Sequence, residues 1–212
     1  TSRTIVVFVA GVAPRGIAWC AAPGRTRGRA MHKDPIQRLL EEHADLLRRL
    51  EPFRRAVREY PASAGATRDA HLANLREGVH VLTTDLHAHS LREDDVFFPA
   101  VERAIGGSFG PTNVMRSEHR SIRAGAGEFA VTLRELQDVQ HPAIVSGGAQ
   151  LREMVATGAA ADELCALGAR VMELIDEHFA KEEQILFPMS RNLLDAETLA
   201  AVARDIEALD YA

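Results

Sequence analysis

The 212-residue chain writes one pattern twice, as "HSLREDDVFFP" from His89 and as "HFAKEEQILFP" from His178. Each copy has a histidine, a glutamate four residues on, an acidic or amide-bearing pair, an apolar triple ending in Phe, and a proline. Residues i and i+4 stack on one face of a helix, so His89 with Glu93, and His178 with Glu182, each present an imidazole nitrogen beside a carboxylate. That is half of a metal site. Upstream of each copy stands a Glu-His dipeptide, in "EEHADLLRRL" with His43 and in "SEHRSIRAGA" with His119. Two such halves, packed about a pseudo-twofold axis, bring four histidines and two glutamates to one centre. Six ligands are too many for a structural zinc, which four close. They suit two iron ions of mixed imidazole and carboxylate ligation, with the glutamates able to bridge. A lone helical histidine is more often a satisfied core or surface residue than a ligand, but six matched residues in two halves are hard to explain as solvated charge.

The elements that must position these residues are all helical. Asp34 can cap a first helix, with Pro35 at its first position and Ile and Leu three and four apart after it; Pro52 should kink or restart it. "YPASAGAT" reads as a loop, and residues 68–105 as a long second helix whose regular part Pro99 bends or ends. "GGSFGPTN" breaks the chain before a third helix over 114–139, where Gly125 and Gly127 weaken the helix but permit close contact. A loop over 140–150 leads to a fourth helix with a break expected near Thr157 and Gly158. Asp195 caps a short fifth. Leu86, Val96 and Phe97 in one copy, and Leu174, Ile185 and Leu186 in the other, are expected to bury the ligand pairs. The fold class is therefore all-α: an up-and-down four-helix bundle with a short C-terminal helix and an N-terminal extension.

The spacing resembles the hemerythrin-like, or HHE cation-binding, family over about residues 34–192. Its specific parts are the two H-x-x-x-E…FP blocks and the Glu-His dipeptides. The resemblance implies a non-haem di-iron centre with His43, His89, Glu93, His119, His178 and Glu182 as ligands, Glu93 and Glu182 as bridges, and an oxo or hydroxo bridge and an open position completing the shell. One departure stands out. Oxygen carriers of the family have a second histidine one turn after the third-helix ligand, and here that residue is Arg123. This favours reaction with dioxygen, nitric oxide or peroxide over reversible storage. Repair-type members with this ligand pattern usually carry an extra cysteine-bearing N-terminal domain, which residues 1–30, with Cys20 alone, do not supply.

Other features bound the reading. The net charge of −5, with 26% charged and 46% hydrophobic residues, gives no general attraction for nucleic acid. Residues 1–30 contain no acid. Their apolar run, strand-like at 4–9, resembles a signal-peptide core, but Arg15 and Trp19 spoil the cleavage region, and the run is too short to cross a bilayer. They read as a poorly ordered extension before a domain over 31–212. Cys20 and Cys165 are far apart and in no CxxC, which fits a reducing, cytoplasmic setting. His87 faces away from His89, and His32, His71, His80 and His141 have no partner at ligand spacing. Asp94, Asp95, Glu183, Glu42, Glu118 and Glu177 read chiefly as solvated or ion-paired, with contact to a ligand histidine as the alternative. The Phe-Pro ends read as helix packing and termination. There is no nucleotide or flavin fingerprint, and no Ser or Cys nucleophile beside a base. The expected partner is a small diatomic ligand or peroxide, with no membrane, no nucleic acid and no protein partner identified. Three functions follow: a di-iron protein that binds and senses or buffers dioxygen or nitric oxide, an enzyme that decomposes hydrogen peroxide, and a metal-free bundle acting through partners.

Overall fold

Helix α1 (Pro35–Glu59) begins where the Asp34 carboxylate accepts the backbone N–H groups of Ile36 and Gln37, at 3.0 and 3.4 Å. These are donors that a helix start leaves without an internal partner. Ile36, Leu39, His43, Leu46, Leu50, Phe53 and Val57 recur every three or four residues and are all buried, so His43 lies in the middle of an apolar stripe. The computed structural model describes residues 34–108, 110–140 and 147–210 and, within them, every side chain outside 137–159. The extension 1–30, with its 4–9 run and Cys20, lies outside the described residues, as do His32 and His141.

The second helix runs unbroken over 65–105. It comprises α2 (Gly65–His80), a π turn (Val81–Asp85), α3 (Leu86–Arg92), a second π turn (Glu93–Phe97) and α4 (Phe98–Ile105), ended by Gly106 at φ +83°. Helix α5 spans Pro111–Gln140 and α6 spans Gly147–Lys181, followed by a π turn (Glu182–Leu186) and α7 (Phe187–Leu193). The last helix, α8 (Ala196–Asp210), starts where Asp195 accepts the N–H of Thr198 at 2.8 Å. Helix α1 packs on α2 and α6, and α5 on α6 and α2, which closes the four-helix ring; α8 lies across α1 and the second π turn. No strand occurs among the described residues, and none of their helices is long and apolar enough to cross a membrane.

Three expectations about interruptions are corrected. Helix α1 does not restart at Pro52, which is exposed, so the carbonyl it deprives of a donor sits on the wet side of the helix. Helix α6 continues through Thr157 and Gly158. The Phe-Pro segments end no helix: at Pro99 and Pro188 a wider π turn gives way to further α-helix. The carbonyl of Asp94, one turn behind Pro99, is instead taken by Arg116 Nη1 of α5 at 2.6 Å.

Candidate metal centre

Each candidate ligand glutamate is the first residue of a π turn, Glu93 in one half and Glu182 in the other. Single π turns inside α-helices recur at functional sites because the extra residue redirects side chains. Here it shifts the register after the glutamate. The residue four positions on (Phe97, Leu186) is fully buried, while the residue three positions on turns outward, and Ile185 is 59% exposed. The expectation that Ile185 covers the site is thus overturned, and Val96 is only partly buried. Leu174 is also exposed; the inward position is three residues before the histidine, Leu86 in one half and Ile175 in the other, both buried.

His43, His89, Glu93, His119, His178 and Glu182 come together from α1, the second helix, α5 and α6, and each is at most 1% exposed. Their ligand atoms form two overlapping groups, each within 4.8 Å: His43, His89, Glu93 and Glu182 in one, and Glu93, His119, His178 and Glu182 in the other. Both glutamates belong to both groups. Glu182 presents Oε2 to His43 Nε2 at 3.3 Å and Oε1 to His178 Nε2 at 3.5 Å. Glu93 presents Oε2 to His89 Nε2 at 3.4 Å and to His119 Nε2 at 3.3 Å.

The histidines are oriented from behind. Every Nδ1 meets a carboxylate: His89 with Glu42 at 2.8 Å, His178 with Glu118 at 3.1 Å, His119 with Asp94 at 2.9 Å and His43 with Glu183 at 2.9 Å. An imidazole donating from Nδ1 keeps its Nε2 lone pair free, which is the state a metal needs. The arrangement repeats with the pseudo-twofold. The acid just before the first-helix histidine holds the other histidine of its own half, and the acid just after the glutamate holds the first-helix histidine of the opposite half. Glu42, Asp94, Glu118 and Glu183 are therefore partners of the site rather than simply solvated groups. Asp95 and Glu177 are exposed and take no such part. His87 also stays outside it, and His71 sits beside Glu59 at 3.5 Å.

Cations brace three of these four acids from outside. Glu42 meets Arg38 at 2.9 Å and Arg92 at 3.4 Å, Asp94 meets Arg116 and Arg123 at 3.5 Å each, and Glu118 meets Lys181. Arg123 thus points to the acid behind His119. Aromatic rings close the remaining sides. Phe179 stacks on His43 with centroids 3.8 Å apart, and Phe98 on His119 at 5.7 Å.

The donor set can be tested against a metal. The Nε2 atoms of His43 and His89 lie 3.0 Å apart. Two imidazole nitrogens about 2.1 Å from one ion at a right angle sit about 3.0 Å from each other. Both carboxylate oxygens of Glu93 and of Glu182, and the Nε2 atoms of His119 and His178, are buried with no hydrogen-bond partner. Such groups are expensive to leave unmatched, and cations between them would match all of them. Protons are the other cations that the cluster can hold. Burial disfavours charge on His43, yet attraction to Glu182 and Glu93 pushes it up to about 10. His119, also opposed by burial, is pushed up to about 9 beside Asp94 and Glu93. Burial and repulsion by His119 push His178 down to about 4. Burial raises Glu182 to about 8, aided by repulsion from Glu93, which the surrounding histidines hold well below the carboxylate range despite its own burial.

Residues 34–138 match the profile of the Hemerythrin HHE cation binding domain. The chain is hemerythrin-like. That match takes in His43, His89, Glu93 and His119; His178 and Glu182 lie beyond it and are brought in by the fold. The chain is also 29% identical over 158 residues to the iron-sulfur cluster repair protein YtfE of Edwardsiella ictaluri, which covers 72% of this chain and 61% of that relative. The hemerythrin-like chain therefore spans about three fifths of the length of that curated relative. Sequence reasoning put histidine contact second to solvation or ion pairing for Glu42, Asp94, Glu118 and Glu183, and the structure shows that contact for all four. Their signal was their placement next to a ligand in both halves.

Proposed function

We propose that this hemerythrin-like chain holds two non-haem iron ions and uses them to bind or react with dioxygen, nitric oxide or peroxide, in defence against oxidative and nitrosative damage. The observation that carries the proposal is the pair of overlapping ligand groups that share Glu93 and Glu182, whose four oxygens have no other partner. In this reading His43 and His89 would hold one ion and His119 and His178 the other, with Glu93 and Glu182 contributing to both groups, so that four protein donors per ion would leave room for a small ligand. Bound ferrous iron supplies electrons and an open position for a diatomic molecule.

The chain's own residues do the rest. Glu42, Asp94, Glu118 and Glu183 fix each imidazole so that only Nε2 faces the centre, and their negative charge raises the imidazoles' basicity. Phe179, Phe98 and Phe187 line the histidines and keep bulk water from the centre. Arg123 at the position of a carrier's additional histidine supports reaction over reversible carriage. The likeness to an iron-sulfur cluster repair protein supports a setting of damaged iron centres, and repair itself is part of the proposal.

The test is elemental analysis of the aerobically purified chain beside the His89→Ala, Glu182→Ala double variant, followed by exposure of the ferrous protein to nitric oxide. About two irons per chain, far fewer in the variant, and a spectral change with nitric oxide are expected. A folded parent that holds no iron and takes up none from ferrous solution would overturn the proposal. Sustained oxygen evolution from peroxide, abolished by Glu93→Ala, would narrow the proposal to a peroxide-decomposing enzyme.

A further inference from the structure

The two halves of the bundle match residue for residue at the metal centre but differ at one end. At eight, five and four residues before His43 stand Pro35, Arg38 and Leu39; at the same distances before His119 stand Pro111, Val114 and Met115. Arg92, Val96 and Phe97 flank Glu93 as Lys181, Ile185 and Leu186 flank Glu182. In the first half α8 closes over this surface. Its Asp210 accepts from both Arg38 and Arg92, the latter at 2.8 Å, and its Val202 and Ile206 join Ile36, Leu39 and Phe97 in one apolar cluster. In the second half the equivalent six residues line a groove of about 190 Å³. Its walls, Val114 and Ile185, are 49% and 59% exposed, and its floor, Met115 and Leu186, is buried. Lys181 brings the one charged group, and its Nζ is paired with Glu118.

We propose that this groove collects the diatomic ligand and admits it to the His119–His178 side of the centre. The inference rests on the function proposed above. Dioxygen and nitric oxide are small, neutral and weakly hydrated, so they concentrate on concave apolar surface. The floor lies one helical turn from the centre on both elements, Met115 four residues before His119 and Leu186 four after Glu182. Met115 is unbranched and adaptable, the side-chain type that yields to a passing molecule. The matching route in the first half is closed by α8. The larger cleft beside His89, about 340 Å³, is lined by Arg38, Glu42, Asp45, Arg49, Asp85 and Arg92 among others, and such a lining retains water rather than gas.

The experiment measures the rate of nitric oxide binding to the iron-loaded full chain by stopped flow. Val114→Trp and Ile185→Trp, both at exposed positions and able to fill the groove, should each slow binding several-fold without changing iron content. Val131→Trp, equally exposed on the same helix α5, should leave the rate unchanged. Xenon, an inert apolar probe, should occupy the groove in the full chain without any iron and be excluded by Ile185→Trp. Equal rates in all three variants, or xenon absent from the groove, would overturn the inference. A chain that takes up iron but no nitric oxide would instead overturn the proposed function, and the xenon result would still decide whether the groove is an apolar ligand site.

Discussion

At the scale of single residues, the six residues that the fold gathers at the candidate centre were legible because metal chemistry restricts such positions to types like histidine and glutamate at a helical spacing. The four acids behind the histidines were visible as neighbours, with histidine contact only the second reading and no indication of which histidine each would meet. A residue next to a ligand in sequence is turned about 100° from it on a helix, so it faces an adjacent helix, and which histidine it meets there depends on packing. Asp94 shows the consequence: it belongs to the first half yet holds His119 of the second. Asp94→Asn should therefore weaken metal affinity by about 10- to 100-fold, as loss of such a supporting partner typically does, with the helical content intact. Asp95→Asn, one residue along and exposed, should change affinity little. Competition with a chelator measures both. Equal affinities across the parent and the two variants would show that the carboxylate behind His119 does not tune it.

At the scale of elements, helix existence followed from period and caps, whereas the π turns had no sequence signal of their own. Missing them reversed the inward assignment of Ile185, because one extra residue in a turn rotates everything that follows. The prolines were over-read for a related reason. Proline costs a helix both a hydrogen bond and a ring clash with the preceding turn; exposure at Pro52, and at Pro99 the wider π turn with Arg116 on the freed carbonyl, accommodate it. Glycine effects likewise depend on the neighbour. A Cβ at Gly78 would lie 2.1 Å from the Phe53 ring, whereas one at Gly127 would meet nothing within 4 Å. Gly78→Ala should destabilise the chain by about 1–3 kcal/mol through overpacking. Gly127→Ala, on an exposed helical site, should stabilise it by up to about 1 kcal/mol. Denaturant midpoints of the two variants should move in opposite directions from the parent, and a shift in the same direction would refute the packing account.

At the scale of the whole molecule, the duplicated halves were readable from the repeat, but the helix that breaks their symmetry was not, since nothing in a short amphipathic segment states which of two equivalent surfaces it covers. Asp210 supplies part of the physical answer. The first half offers Arg38 and Arg92 where the second has Val114 and Lys181, so only the first can clamp the end of α8 between two guanidinium groups. Burial opposes the charge on Asp210, but those two arginines hold it below the usual carboxylate range. A carboxyl lowered in the folded chain contributes stability above its ordinary value near pH 4, and loses it as pH falls through the lowered folded value. The pairs are partly exposed, so solvent screening limits them to about 1 kcal/mol. Asp210→Asn should thus melt about 2–4 °C below the parent at pH 7, and the gap should close as pH is taken below 4. Thermal melts of both proteins at several pH values test this. A gap that persists unchanged in acid would mean that α8 is held over the first half by its apolar face alone, with the clamp incidental to the asymmetry.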